Sequence, residues 1–169
     1  NAVNTVSKTY SQEILTTEYG EGLDKLLLEL RGKLFGIING ISYDSLNPAT
    51  DALIEKTYNI ETLDERIRNK RALQREFGLE VDDSKFEMGF VGRLDFQKGL
   101  DMGIAVIREI ISEYKNVQFV QIGSGDWTLI DELQKLKKDF PNQVGIHTYP
   151  NFTLPRLIFS GSDTMIYPS

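Results

Sequence analysis

The sequence predicts an α/β fold in which a doubly wound parallel sheet carries helices on both faces. From about residue 51 onward, short apolar runs of strand length alternate with amphipathic helical patterns. Alternation at this spacing favours a parallel sheet with crossover helices. The composition agrees, because 40% hydrophobic and 26% charged residues in a chain of 169 are typical of a globular protein. That length predicts one domain, or one domain with a piece of another.

The N-terminal stretch reads as a strand that leads into helices. Ser7 is a good candidate for the N-cap of the first helix, because its hydroxyl can accept from free backbone amides. A second helical pattern follows, with leucines on one face at Leu23, Leu26, Leu27 and Leu30. Turn-forming residues then interrupt the pattern, and we predict a linker over residues 36–50. A plain surface loop is the alternative for this segment.

The remaining elements alternate between helix and strand. A charged helix is predicted from about Leu63 to Phe77, with Leu63 on its buried side and Gly78 as its stop. Four strands are predicted at Phe86–Val91, Val117–Ile122, Val144–Tyr149 and Thr164–Tyr167. The helices between them are indicated by apolar residues at helical spacing: Ile104, Ile107 and Ile111, then Ile130, Leu133, Leu136 and Phe140, and a short segment from Leu154 to Phe159.

Charge and composition exclude several classes of protein. With 19 basic and 25 acidic residues the net charge is -6, which disfavours nucleic-acid binding. No apolar run is long enough to cross a bilayer, and no signal-peptide pattern opens the chain. The absence of cysteine excludes disulfides and thiolate zinc sites.

The residues that follow the predicted strands point to an anion-binding site. Ligands of open parallel sheets bind outside the carboxyl ends of the strands. Arg93 and Lys98 follow the first strand, and the "GSGD" turn with Gly123 and Ser124 follows the second. Tyr149 closes the third. Cations, amides near a helix N-terminus and an aromatic ring together predict a cradle for the phosphates and base of a nucleotide.

Each of these residues also has an ordinary structural interpretation. The two cations could be solvated loop charges that pair with Asp95 or Asp101. The "GSGD" stretch could be a simple turn with Asp126 as a helix cap, and Tyr149 could be an ordinary half-buried ring. His147 is the chain's single histidine, and we interpret it as structural because a lone histidine makes a poor metal site.

Several long blocks resemble one family. "VSKTYSQEILTTEYGEGLDKLL", "NGISYDSLNPATD", "GRLDFQKGLD", "IGSGD" and "SGSDTMIYPS" occur in an order similar to that in bacterial and plant glycogen and starch synthases. The resemblance covers nearly the whole chain. It implies a GT-B architecture of two Rossmann-like domains and the transfer of glucose from ADP-glucose to the non-reducing end of an α-1,4-glucan, with retention of configuration.

The resemblance also assigns roles to residues. It implies that Arg93 and Lys98 bind the diphosphate and serve catalysis, that Tyr149 packs on the adenine, and that Gly123 and Ser124 belong to the same substrate site. ADP-glucose and α-glucan are the implied partners, with no nucleic acid, membrane, metal or cofactor. A cytoplasmic location is implied, or a plastid if the source is a plant. The domains would be 1–35 for the tail of the N-terminal domain, 36–50 for the linker and 51–169 for the nucleotide-binding domain.

The chain departs from the family pattern at its ends. It starts at Asn1 and stops before the glutamate-bearing segment that serves glucosyl transfer in the family, so we expect a fragment that is inactive by itself. Smaller departures are Phe96, where the family often has proline, and Arg156, where histidine is common. Two alternatives stay open: another retaining GT-B glycosyltransferase with a different sugar nucleotide, and a non-catalytic nucleotide-binding module.

Overall fold

The structure is a computed structural model that describes residues 1–168. It divides into two compact units, the first spanning Asn1–Leu46 and the second beginning at Asn47. The domain boundaries predicted above, with a linker over 36–50, stay predictions. Within the described residues, no helix is both long and apolar enough to span a membrane.

The first unit is a small parallel ribbon with short helices. Strand β1 (Val3–Thr5) pairs in parallel with β2 (Leu34–Gly36). Its helices are α1 (Tyr10–Glu13), α2 (Asp24–Glu29), a 3-10 turn (Arg31–Lys33) and α3 (Tyr43–Leu46). The Ser7 hydroxyl accepts a hydrogen bond of 2.8 Å from the amide of Tyr10, but the N-cap position of α1 is held by Thr9 and not by Ser7 as predicted. Leu23 and Leu26 lie on the solvent side of this unit.

The second unit contains a four-stranded parallel sheet, which confirms the predicted fold class. Strands β3 (Phe86–Val91) and β4 (Val117–Ile122) have the predicted bounds and pair from Phe86↔Val117 to Val91↔Ile122. Strand β5 (Val144–His147) lies beside β4, and β6 (Thr164–Met165) lies beside β3. The last two strands are shorter than predicted, so Tyr149 and Tyr167 lie in the segments that follow them.

Four helices flank this sheet: α4 (Arg66–Glu76), α5 (Leu100–Glu113), α6 (Trp127–Asp139) and α7 (Leu154–Gly161). Two 3-10 helices, Ile60–Glu65 and Phe96–Lys98, precede α4 and α5. The core has one apolar cluster on each face of the sheet. One cluster includes Phe90, Phe119, Ile107 and Leu133, and the other includes Leu73, Val120 and Ile158.

The start of α4 differs from the prediction. The side chain of Asn59 accepts hydrogen bonds from the amides of Glu61 and Thr62, and the Thr62 hydroxyl accepts one from the Asn59 amide. This capping box starts a 3-10 helix, so the regular helix begins only at Arg66. Leu63 is therefore 53% exposed, and its predicted burial is wrong. Gly78 ends the helix as predicted, with a left-handed φ of 68°.

Polar side chains are buried between α4 and the sheet. Gln74 donates to Gln118 over 2.9 Å, and the Lys70 ammonium lies 2.7 Å from a carboxylate oxygen of Asp163. Glu87, on β3, is fully buried, and its carboxyl oxygens have no hydrogen-bond partner among residues 1–168. Burial raises the pKa of Glu87 to about 8, and the charge of Lys70 offsets only part of that shift.

Candidate functional site

The loops after β3 and β4 are joined by backbone hydrogen bonds. The amide of Leu94 donates to the carbonyl of Ser124 over 3.0 Å, and the amide of Asp126 donates to the carbonyl of Leu94 over 2.7 Å. Leu94 and Gly125 thus form a parallel bridge beyond the ends of the strands. The two loops make one continuous floor at the carboxyl edge of the sheet.

Glycine is required for this close approach. A β-carbon at Gly123 would clash with the carbonyl oxygen of Gly92, and one at Gly125 would clash with the carbonyl oxygen of Leu94. Gly123 also has a φ of 157° and donates its amide to the carbonyl of His147 over 3.1 Å. The glycines of "GSGD" therefore serve the packing of neighbouring loops, whatever else they contact.

A pocket of about 220 Å³ lies on this floor. Its lining comes from the segments that follow β3, β4 and β5: Val91, Gly92, Arg93, Ile122, Gly123, Ser124, Tyr149, Pro150, Asn151, Phe152 and Pro155. The structure thus brings together four of the five predicted site residues, Arg93, Gly123, Ser124 and Tyr149. Their roles toward a ligand stay predictions.

Lys98 lines a second, adjoining pocket of about 130 Å³ instead. This pocket is formed by Phe90, Val91, Gly92, Lys98, Tyr167 and Pro168, so the two pockets share Val91 and Gly92. Lys98 ends the 3-10 helix before α5, and its exposed side chain forms no ion pair within residues 1–168. The two predicted cations therefore line two adjoining pockets that meet at the end of β3.

The N-terminus of α5 is less open than the sequence suggests. Gly99, with a left-handed φ of 61°, precedes the helix. Pro168 lies against this end of the helix, since a β-carbon at Gly99 or Gly103 would come within 3.0 or 3.2 Å of its ring. The turn that carries Lys98 lines the smaller pocket, whereas the first turn of α5 does not.

Asp95 contacts the segments that carry both cations. Its carboxylate lies 3.2 Å from the Arg93 guanidinium and also accepts from the backbone amide of Lys98 over 3.0 Å. The alternative interpretation of Arg93 as a paired loop charge is thus partly correct. The Arg93 side chain is 75% exposed, however, and exposed ion pairs contribute little. The guanidinium can leave Asp95 for a stronger anion at small cost.

Tyr149 is the outer member of a row of three rings. It lies just beyond the end of β5, is 52% exposed and makes an edge contact with His147 at 5.1 Å between ring centroids. His147 makes a second edge contact with Phe77 at 4.6 Å. Burial lowers the pKa of His147, so the neutral ring is favoured in this stack. These contacts agree with a structural role for His147.

Asp126 is a helix cap, as one interpretation of "GSGD" predicted. Its carboxylate accepts from the amide of Thr128 over 2.8 Å and from that of Leu129 over 3.4 Å. The cap and the pocket lining coexist, because Gly123 and Ser124 precede the capping residue. Sequence reasoning missed the segment 150–155, of which Pro150, Asn151, Phe152 and Pro155 line the larger pocket. The sequence feature that could have indicated this segment is an aromatic residue, Phe152, in a short stretch between two prolines.

Comparisons with known proteins agree with the resemblance. A family model described as the starch synthase catalytic domain matches residues 1–29. Glycogen synthase of Trichodesmium erythraeum is 41% identical over 99% of this chain, which covers 36% of that protein. Glycogen synthase of Kosmotoga olearia is 42% identical over 99% of the chain, which covers 35% of it.

A solved structure supports the same relation. The catalytic domain of starch synthase IV from Arabidopsis thaliana, bound to ADP and acarbose, matches with a TM-score of 0.90 at 34% identity. The match covers 100% of this chain and 35% of that one. The chain therefore spans about a third of the length of these relatives. By sequence and by structure, nearly the whole chain is similar to about a third of a glycogen or starch synthase.

Proposed function

We propose that the chain is the nucleotide-binding part of a glycogen or starch synthase. The whole protein would transfer glucose from ADP-glucose to the non-reducing end of an α-1,4-glucan, with retention of configuration. Its partners would be a sugar nucleotide and an α-glucan, and a cytoplasmic location stays a prediction. The observation that carries the proposal is the pocket that gathers Arg93, Gly123, Ser124 and Tyr149, with Lys98 beside it.

The lining of the pocket suits the parts of a nucleotide diphosphate. Arg93 lies beside the glycine turn, where a diphosphate would meet a guanidinium and backbone groups. Tyr149 provides a half-exposed ring for the base. The ADP and acarbose bound to the Arabidopsis relative support a nucleotide and a glucan as ligands of this family.

In this proposal the two cations act on the leaving group. When the bond between glucose and phosphate breaks, negative charge builds up on the departing ADP. Arg93 from one pocket and Lys98 from the adjoining one can both donate charge-assisted hydrogen bonds to that charge. Contacts that strengthen as charge develops accelerate the reaction, beyond merely holding the substrate.

A titration of ADP against the chain tests the proposal. We expect Arg93→Ala and Lys98→Ala each to weaken ADP binding about 10- to 100-fold, because one charge-assisted hydrogen bond is worth about 1.5–3 kcal/mol. Arg68→Ala is a matched control, since Arg68 is also exposed and lies 3.1 Å from a carboxylate, that of Glu65, away from the pocket. All variants should first be shown to melt like the wild type.

The result that would contradict the proposal is ADP affinity within twofold of wild type for both variants. In that case the two cations are ordinary surface charges. Parallel titrations with UDP test the nucleotide preference, because the proposal requires ADP to bind more tightly.

A further inference from the structure

We propose that Phe152 is a second stacking residue for the nucleobase, so that the base lies in a clamp between Phe152 and Tyr149. This inference rests on the proposed function and adds a residue to it. Both residues line the larger pocket at the carboxyl edge of the sheet. The clamp would select a flat aromatic group, as the base of a nucleoside diphosphate is.

Phe152 is strongly exposed at the border of a concave site. Its side chain is 93% exposed, more than any other large hydrophobic residue described. Single exposed apolar side chains are common on protein surfaces. Phe152 differs because it borders a concave site next to another half-exposed aromatic ring. An apolar ring at the edge of a pocket is the group that a stacked base would cover.

The turn that carries Phe152 is fixed in place. The side-chain oxygen of Asn151 accepts from the amides of Thr153 and Leu154, each over 2.8 Å, and from the Thr153 hydroxyl over 3.0 Å. Pro150 precedes this turn, and Pro155 is the second residue of the helix that follows it. The backbone on either side of Phe152 is thus fixed, so the position of its α-carbon at the border of the pocket is set before a ligand arrives.

The ring of Tyr149 is held by neighbouring rings. His147 occupies one edge of Tyr149, and Phe77 supports His147. Tyr149 keeps 52% of its surface exposed despite these contacts. Tyr149 and Phe152 lie three residues apart on one turn and contribute to one pocket. One ring held by its neighbours, Tyr149, and one exposed ring, Phe152, are therefore available to the same ligand.

The cation and the two rings of the pocket lining come from different segments of the chain. Arg93, Gly123 and Ser124 belong to the loops after β3 and β4, and they offer a cation and backbone groups. The segment after β5 offers Tyr149, Phe152 and two prolines. A nucleoside diphosphate has the same division, with phosphates at one end and an aromatic base at the other. This match assigns the base to the ring-bearing end.

Affinity measurements give the first test. We expect Phe152→Ala to weaken ADP binding about 5- to 30-fold, in line with the measured cost of removing one aromatic stacking partner of a base. Phe152→Trp should keep wild-type affinity. Phe159→Ala is the matched control, because Phe159 is a partly exposed phenylalanine on α7 that does not line the pocket. Its ADP affinity should stay within twofold of wild type.

A fluorescence measurement gives a second test that does not depend on stability. Trp127 is the chain's single tryptophan, so a Trp127→Phe, Phe152→Trp variant reports from position 152 alone. Stacking of adenine should quench this fluorescence when ADP is added, whereas inorganic pyrophosphate at the same concentration should leave it unchanged. Absence of ADP quenching in a variant that still binds ADP would overturn the clamp.

The two proposals fail in different ways. If Arg93→Ala and Tyr149→Ala weaken ADP binding but Phe152→Ala does not, the base has one stacking partner, and only the clamp is wrong. If none of the three changes affects ADP binding, the pocket is not the nucleotide site, and the proposed function and the clamp are both wrong.

Discussion

The second unit has two groups of charged side chains next to the same sheet, one exposed to solvent and the other buried. At the carboxyl edge, Arg93 is exposed and shares one weak ion pair, and Lys98 has no ion pair within the part of the chain that the structure describes. Beneath α4, the ammonium of Lys70 is buried against Asp163, and Glu87 is buried beside them. Charges at the edge are free to meet a ligand, whereas those beneath α4 interact only with the protein. Mutations in the two groups should therefore affect different properties.

The largest effect is expected at Lys70. Lys70→Met removes the buried cation of an ion pair and leaves the carboxylate of Asp163, which is 33% exposed, without its partner. Breaking a fully buried pair costs about 3–5 kcal/mol of folding free energy, and we expect a loss at the lower end of that range here. Urea denaturation should show this loss, and ADP affinity of the folded variant should remain that of wild type. A stable variant with weakened ADP binding would erase the distinction between the two groups of charges.

A smaller effect with the opposite sign is expected at Glu87. Its pKa of about 8 in the folded state exceeds the ordinary value of 4.5, so the folded state binds more protons than the unfolded state between those values. Stability should therefore be highest below about pH 4.5, as far as this group is concerned, and should fall as the pH rises toward 8. Glu87→Leu should remove this decline and raise the free energy of unfolding at pH 8 by roughly 2–4 kcal/mol.

The measurement is denaturant unfolding at several pH values for wild type and Glu87→Leu. Both proteins carry the neighbouring charges Lys70 and Asp163, so the difference between the two curves isolates Glu87. A difference that does not change between pH 5 and pH 8 would mean that Glu87 has an ordinary pKa.

The smallest effect is expected at Asp95, which belongs to the exposed group. Asp95→Ala removes both the cap on the Lys98 turn and the partner of Arg93. Loss of a cap costs about 1 kcal/mol of stability. Asp95→Asn keeps a side-chain acceptor for the Lys98 amide, so it should restore most of the melting temperature lost in Asp95→Ala. Equal melting temperatures for the alanine and asparagine variants would show that the charge, and not the cap, is what stabilises the turn.

Some elements of the second unit could be predicted from the sequence and others could not. Strands β3 and β4 have the predicted bounds because long apolar runs leave few alternatives. The end of β5 and the start of α4 were missed because local hydrogen bonds decide them, notably the capping box at Asn59. The burial of Glu87 could not be read from an apolar run that contains a single carboxylate.

The candidate site shows the same limit. Topology brings Arg93, Gly123, Ser124 and Tyr149 to one edge, as parallel strands require. No sequence pattern shows that Lys98 faces a separate pocket, because that depends on Pro168 and Tyr167 from a distant segment. Phe152 could not be predicted as a site residue, because an exposed ring in a turn is not part of any helical or strand pattern of apolar residues.

The hydrogen bonds that join Leu94, Ser124 and Asp126 have a consequence for motion. They add one rung to the sheet beyond its strands, so the floor of the pocket opens only when the end of the sheet opens. In native-state hydrogen exchange, the amides of Leu94 and Asp126 should be protected together and should exchange with the same opening free energy. Loops at the ends of strands ordinarily exchange fast, but these two should behave like β3 and β4 themselves. A ligand would thus meet a floor that is already in place, and the remaining adjustment falls to the side chains above it.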